Sequence, residues 1–222
     1  MSRTKSPVVP VEHEPLSGEE RVAVWLKANR IPVLVGTGIL ALVVLVTWGV
    51  TVAGARKEAA ARAQLEQAWN AQDAGNLPLA SSEFQRVTQA FDGTNAALEA
   101  RLSLNQARLL NGQSQLAVDD LRDFLIKSLP PRFAAAANLL LGAALENLGQ
   151  SKEAGVAYLA AAETSEQDFI KAEALLDASR ALVAAGDREA AISSLRTIIE
   201  SYPETASGPI AEVRLGELTK GS

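Results

Sequence analysis

Residues 137–161 read ANLLLGAALENLGQSKEAGVAYLAA, and this stretch sets the pattern for most of the chain. Its apolar residues recur three and four positions apart on both sides of Gly149, which is the spacing of one helix face. A glycine just past the end of a helix readily adopts the left-handed conformation that lets the chain turn back. The stretch therefore predicts two antiparallel helices joined by a short turn at Gly149.

The glycine recurs every 37 residues without a slip. Alanine follows each glycine after 5 and 25 residues, a large apolar residue after 9, and an aliphatic residue after 27. The five sets are Gly75, Gly112, Gly149 and Gly186; Ala80, Ala117, Ala154 and Ala191; Phe84, Leu121, Tyr158 and Leu195; Ala100, Ala137, Ala174 and Ala211; and Leu102, Leu139, Leu176 and Val213. One period earlier, Ala63 and Leu65 occupy the last two positions. A fixed period of this size indicates a solenoid of stacked repeats.

These positions also predict how the two helices of each repeat pack. The alanine after the glycine lets the second helix approach the first closely, and the large residue fills the space between them. The predicted helices span residues 56–73 and 77–90, 95–110 and 114–128, 132–147 and 151–164, 168–185 and 188–201, and about 208–219. The last one has no second helix, and we predict that it covers the core face at the end of the solenoid.

The run Ile31–Ala55 precedes the repeats and contains no charged residue. A helix of this length exceeds the hydrocarbon core of a bilayer, which is about 30 Å thick. A buried core helix is the alternative, but such a helix normally has a polar face. A cleaved signal peptide would have a shorter apolar run. We therefore predict an all-α chain with one N-terminal transmembrane helix, retained as an anchor, and an α-solenoid of four hairpins plus a closing helix.

Four segments follow from this interpretation: a disordered tail (1–18), a juxtamembrane amphipathic segment (19–30), a transmembrane helix (31–55) and a repeat domain (56–222). Ser17 is placed to cap a helix in the second segment, which either lies on the membrane surface or simply leads into the span. Three basic residues lie close to each end of the apolar run, so charge leaves its orientation open.

Composition excludes several classes of function. The chain has no cysteine, and its single histidine, His13, lies in the tail, so thiol chemistry and a histidine base in the repeat domain are excluded. Residues 58–222 hold 14 basic and 22 acidic side chains, a net charge of −8 that is unsuited to nucleic acid. The acidic group Asp119, Asp120 and Asp123 is predicted to form a solvated face rather than a metal site. We expect no enzymatic activity, no cofactor and no metal.

The repeat resembles the tetratricopeptide repeat. The hairpin around Gly149 carries the spacing of that family: Leu141, Gly142, Leu145, Gly149, Ala154, Tyr158 and Ala161. The period is 37 rather than 34, and the position of the family's tryptophan holds Arg101, Asn138 or Leu175. The resemblance implies a tetratricopeptide-like solenoid that binds protein partners on the concave side lined by its first helices.

The inner positions of that family map onto six candidate partner-binding residues: Arg62, Leu65, Trp69, Glu99, Gln106 and Arg180. For Leu65 we favour packing in the core. Trp69 is either a contact anchor for a partner, as buried aromatic residues often are in interfaces, or it packs the first repeat against the membrane-proximal linker.

The whole chain resembles the YfgM family in architecture and in the motif EE-x-V-x-x-W-L-K-x-N at Glu19–Asn29. These are bacterial inner-membrane proteins with one N-terminal span. The resemblance implies a cytoplasmic N-terminus, a periplasmic repeat domain, and a role as ancillary subunit of the SecYEG translocon beside a PpiD-like chaperone. No small-molecule substrate is expected. Two other hypotheses stay open: a scaffold of another envelope complex, such as a homo-oligomer, and a cytosolic adaptor.

Overall fold

The computed structural model describes residues 17–220, and that part of the chain folds into ten α-helices and no β-strand. The helices are α1 (Gly18–Ala28), α2 (Arg30–Asp73), α3 (Leu77–Ala90), α4 (Asn95–Leu110), α5 (Ser114–Leu125), α6 (Pro131–Asn147), α7 (Ser151–Thr164), α8 (Asp168–Ala184), α9 (Arg188–Ser201) and α10 (Ser207–Lys220). The predicted all-α solenoid is confirmed. Most of the predicted tail (1–18) lies outside the described residues.

Contacts divide the chain into two units between Ala53 and Gly54. In the first unit, α1 begins with a capping box: the Ser17 hydroxyl accepts a hydrogen bond from the Glu20 N–H, and the Glu20 carboxylate accepts one from the Ser17 N–H. The apolar part of α2 has a mean hydropathy of 2.4 over 18 residues, none of them buried. Among the described helices, only α2 is long and apolar enough to cross a membrane.

The second unit is a series of helical hairpins. The end of α2 pairs with α3, and α4–α5, α6–α7 and α8–α9 follow, with α10 packed on α8 and α9. The four periodic glycines end the first helices with φ between 72° and 81°, as the sequence predicted. At Gly149 the chain turns because the Gln150 N–H donates to the Leu145 carbonyl across the glycine (2.9 Å).

The predicted packing positions form the core of this unit. Alanines 5 and 25 residues after each glycine are fully buried in every repeat, and the large residue after 9 is buried at 3% exposure or less. Small side chains bring paired helices close together, and one large side chain per repeat fills the gap. Three buried clusters follow one another along the solenoid.

The helix bounds differ from prediction at two places. The predicted span (31–55) and the first repeat helix (56–73) form one continuous helix, α2, and α5 is shorter than predicted. We predicted that it would reach residue 128, but it ends at Leu125. After Leu125 the chain tightens, since the Lys127 N–H donates to the Phe124 carbonyl three residues back, and Pro130 then keeps Leu129 out of the helical conformation. The chain therefore leaves the helix early, and Ile126 is 83% exposed.

The two ends of the repeat array depart from the periodic pattern. Ala63 is exposed although its equivalents in later repeats are buried, and Val213 is 64% exposed whereas Leu102, Leu139 and Leu176 are partly buried. These positions are covered by a neighbouring repeat in the middle of the array, and a terminal repeat lacks one neighbour. The helix α10 closes the core of α8 and α9 through Ala211, as predicted, but leaves its own outer side bare.

Candidate interaction surfaces

Five of the six predicted partner-binding residues are at least partly accessible on the first helices. Arg62, Gln106 and Arg180 are exposed, and Glu99 is partly buried. Leu65 is fully buried among Phe84, Ala100 and other core residues, so it packs in the core and offers no contact to a partner. No hydrogen bond or ion pair in the described part of the chain joins any two of the six.

Trp69 is partly buried and packs against the first core cluster. Its indole N–H donates to the Ser103 hydroxyl of α4 at 3.3 Å. The indole thus contacts the next first helix, rather than the membrane-proximal linker that one of our two hypotheses named. This contact connects the first repeat to the second, and part of the ring remains accessible. We call the surface formed by the first helices, with Arg62, Glu99, Gln106 and Arg180, the first-helix face.

Arg180 binds two carboxylates of its own chain. It donates to Glu146 of α6 at 2.6 Å and to Asp177 of α8 at 2.8 Å. The hydrogen bond to Asp177 is the main cause that raises the pKa of Arg180, and burial opposes it. Tyr158 of α7 donates to the second oxygen of Glu146 at 2.7 Å, and burial followed by this hydrogen bond raises the Tyr158 pKa. Arg180 therefore helps to join α6, α7 and α8.

The middle of the first-helix face is apolar. Ala136 and Ala143 of α6 lie one period after Glu99 and Gln106 and are partly buried. The 37-residue period could have found both, but neither was predicted. A face with polar groups towards both ends and apolar side chains in the middle suits a protein partner better than a small polar ligand.

One residue of the acidic group in α5 differs from the prediction of a solvated face. Asp119 and Asp123 are exposed as predicted, but Asp120 is partly buried and holds an ion-pair cluster together. Its carboxylate accepts from Arg101 at 3.0 and 3.1 Å and from the fully buried Asn105 at 2.6 Å. Periodicity could not reveal this, because the partners lie on another helix.

The cluster also includes Arg108, 3.5 Å from Asp120. Burial acts to raise the pKa of Asp120, but the hydrogen bonds from Arg101 and Asn105 and the charges of Arg101 and Arg108 outweigh it and lower the pKa. The Arg101 guanidinium lies over the Phe124 ring, 4.8 Å from its centre. We call Arg101, Asn105, Arg108 and Asp120 the Asp120 cluster; it joins α4 to α5.

Two cavities lie on other surfaces of the repeats. One, of about 540 Å³, lies between α5 and α7, and its floor is Asn138, Leu141 and Leu145 of α6. We call it the α5–α7 groove. The other, of about 690 Å³, lies where the turn after α3 meets the end of α5, between Thr94 and Lys127. Within residues 17–220, no group of three His, Asp or Glu side chains is placed to hold a metal ion.

The fold and these surfaces define a helical-repeat protein of the tetratricopeptide-like class, the class whose repeats generally mediate protein–protein contacts. The tetratricopeptide-repeat family model matches residues 173–205, which cover most of α8 and all of α9. A crystal structure of nearly identical tetratricopeptide-like repeats, assigned to a kinesin light chain of Podospora anserina, superposes with a TM-score of 0.57 at 22% sequence identity. The similarity covers 72% of this chain and 84% of that one. No curated protein matches the chain.

Proposed function

We propose that this protein is a membrane-anchored protein–protein interaction module that holds its partners on the first-helix face of the solenoid. One observation carries the proposal: α2 contains both the apolar stretch and the first helix of the repeats. An anchor restricts the repeats to a membrane surface and raises the local concentration of any partner in the same membrane, so weak individual contacts suffice.

The proposed partners are the SecYEG translocon and a PpiD-like periplasmic chaperone, and the proposed process is the handling of exported proteins. The support is the motif at Glu19–Asn29, the single apolar run and the repeats that follow it, which together resemble the YfgM family. In this proposal the protein lies in the bacterial inner membrane with its N-terminus in the cytoplasm and residues 56–222 in the periplasm.

A crosslinking experiment tests the partners. A photoreactive amino acid is placed in the full chain at Gln106 on the first-helix face, at Leu42 in the apolar run, and at the exposed Thr197 of α9 as a control. We expect translocon or chaperone subunits to crosslink to the first two positions and not to the third. Recovery of neither subunit from the first two positions would rule out the translocon proposal.

Protease accessibility tests the orientation. Protease added to cells with a permeabilised outer membrane should digest residues 58–222, whereas intact cells should protect them. If digestion occurs only after the inner membrane is opened as well, the repeats face the cytosol, and the adaptor hypothesis replaces the periplasmic one.

A scaffold built from several copies is the second candidate, and one observation favours it. Ile210 and Val213 are 44% and 64% exposed on the outer side of α10, where a further repeat would stack. The mass of the full chain in mild detergent separates the two functions: an oligomer that persists without other proteins, and that Val213→Glu dissociates, supports the scaffold.

A further inference from the structure

The repeats differ from one another at the space between successive second helices. Three positions of a repeat differ here, two on the first helix and one on the following second helix. In the second repeat these are Arg101, Arg108 and Asp120: both arginines pair with the aspartate, and Arg101 also lines the cavity of about 690 Å³. One period later, the same positions hold Asn138, Leu145 and Ala157.

Asn138, Leu145 and Ala157 all line an open space between α5 and α7. An ion-pair cluster of two arginines and an aspartate is replaced by smaller side chains, and a groove of about 540 Å³ lies in its place. The next space along the chain is filled differently: Leu175 replaces Asn138, and Leu159 replaces Arg122. Only the α5–α7 space combines a small floor residue with a cationic rim.

The groove has an apolar interior. Leu141, Leu145 and Ala157 are nearly buried in its floor, and Val156 of α7 is 61% exposed at its side. Asn138 donates to the Ala134 carbonyl of its own helix (3.0 Å), and its amide oxygen accepts no hydrogen bond from the described residues. That oxygen is free to accept an N–H from a bound peptide backbone.

The rim carries more positive than negative charge. Arg122 and Lys152 are exposed there and form no ion pair within residues 17–220, while Glu153 is the single acidic residue of the lining. This local excess of positive charge lies on a repeat domain whose net charge is −8 (14 basic and 22 acidic side chains in residues 58–222). Charge complementarity therefore favours an acidic occupant over a basic one.

We propose that the α5–α7 groove binds a short acidic and apolar segment of a partner protein, with apolar side chains on Leu141 and Leu145 and carboxylates facing Arg122 and Lys152. The inference rests on the proposed role in protein binding and adds a second surface, formed mainly by second helices. The protein can therefore bind one partner on the first-helix face and a different one in the groove.

Binding is measured by fluorescence anisotropy on the full chain in nanodiscs of neutral lipid. The probe is a labelled octapeptide of alternating leucine and aspartate; versions with asparagine or lysine in place of aspartate are the matched peptides. We expect the aspartate peptide to bind at least about tenfold more tightly than both others, and its affinity to fall with added salt.

Two variants locate the binding site. The double variant Arg122→Gln with Lys152→Gln removes the positive charge of the rim. The variant Asn138→Leu introduces the leucine that the fourth repeat has at this position (Leu175) and fills the floor of the groove. Each should weaken the aspartate peptide by about tenfold or more. The control, Arg188→Gln with Arg196→Gln, removes the same charge from exposed positions on α9 and should leave the affinity unchanged.

The proposal is overturned if the aspartate peptide does not bind, or if the control weakens it as much as the rim variant does. It is also overturned if Asn138→Leu converts a dimer into a monomer in mass measurements, because the groove is then covered by a second copy of the chain. If the Asn138→Leu variant does not fold, the double variant Arg122→Gln with Lys152→Gln alone tests the binding site. The crosslinks at Gln106 do not depend on the groove, so they test the proposed function separately.

Discussion

Asp120 illustrates how one side chain is controlled by residues far from it in sequence. Its partners Arg101 and Asn105 lie 19 and 15 residues earlier, on the neighbouring helix α4. Both are largely buried, so their polar groups have no access to bulk water as a replacement partner. A largely buried guanidinium that loses its carboxylate accounts for most of the energetic cost of such a mutation.

We expect Asp120→Ala to lower the free energy of unfolding by about 1–3 kcal/mol, because Arg101 and Asn105 lose the carboxylate and keep only backbone carbonyls as acceptors. Urea unfolding followed by circular dichroism measures the change. The matched control is Asp123→Ala, three residues further along the same helix and exposed, which should change stability by less than about 0.5 kcal/mol. Equal effects of the two substitutions would show that the cluster is not stabilising.

The same residue predicts a pH dependence. The folded-state pKa of Asp120 is lowered, so the unfolded chain takes up a proton first as the pH falls. The stability that Asp120 contributes is complete above its unfolded pKa and is lost as the pH falls through the lowered folded pKa. The stability difference between the wild type and Asp120→Asn should therefore be constant near neutral pH and shrink in acid. A difference that grows in acid would contradict this sign.

At the scale of the element, the first helices end at glycines whose conformation other residues rarely adopt. Gly149 has φ +74°, and a Cβ there would meet no atom within 4 Å. The requirement is therefore one of backbone conformation and not of space. Gly216, inside α10, also has open space around a Cβ, but its backbone is helical.

These two glycines should respond oppositely to alanine. Gly149→Ala should destabilise the domain by about 1–2 kcal/mol because an L-residue is strained in the left-handed conformation. Gly216→Ala should stabilise it by up to about 1 kcal/mol because alanine favours a helix interior. Thermal unfolding midpoints measure both changes, and a shift in the same direction for both would refute the conformational explanation.

The start of α4 is held by the preceding first helix. The Glu58 carboxylate accepts from the backbone N–H groups of Asn95 (2.8 Å) and Ala96 (3.1 Å), and Lys57 donates to the Asp92 carbonyl (2.7 Å). A carboxylate at a helix N-terminus satisfies donors that the helix itself leaves unpaired. Repeats two to four have no acidic residue at this position: the equivalents of Glu58 are Asn95, Arg132 and Phe169.

Glu58→Ala should destabilise the repeats by about 1–2 kcal/mol, in the range of a lost helix cap. Hydrogen exchange of the Asn95 and Ala96 amides should become faster in this variant. The control is Glu66→Ala, on the exposed side of the same helix. Unchanged exchange at Asn95 and Ala96 would mean that Glu58 does not hold the start of α4.

At the scale of the whole molecule, each repeat is completed by its neighbours. Leu102, Leu139 and Leu176 are covered by the following first helix, whereas Val213 has no such neighbour and is exposed. Stability in such arrays is a sum of repeat and interface contributions. Substitutions in the middle of the array therefore disturb two interfaces, while those at its ends disturb one.

The membrane anchor gives the prediction that belongs to this scale. The full chain should stay in the membrane fraction during alkaline carbonate extraction, because its apolar run contains no charged residue that would oppose insertion. A central arginine costs about 2.5–3.5 kcal/mol on insertion scales, so Leu42→Arg with Val46→Arg should release a large fraction. The same two arginines at the exposed positions Gln85 and Thr197 should release none; complete extraction of the wild type would refute the anchor.

The sequence predicted the helices of the solenoid closely, with four of them matching in both bounds: α3, α4, α7 and α9. It was less successful with individual side chains. Leu65 is buried, in agreement with the core packing that we favoured, but Asp120 was interpreted as solvated and is paired. The α5–α7 groove was not predicted at all. Each of these features depends on contacts between helices that are far apart in sequence.

The sequence by itself determined the helical repeat, its period, its turns and the apolar run, because these follow from local spacing and from the backbone preferences of glycine and proline. Only the tertiary structure decided which equivalent positions are buried, which charges are paired and where the array is open. Arg101 and Asn138 occupy the same position of successive repeats, yet Arg101 pairs with Asp120 and Asn138 lines a groove. The physical reason is that three helices from two repeats enclose each space, so its filling depends on side chains that no single stretch of sequence contains.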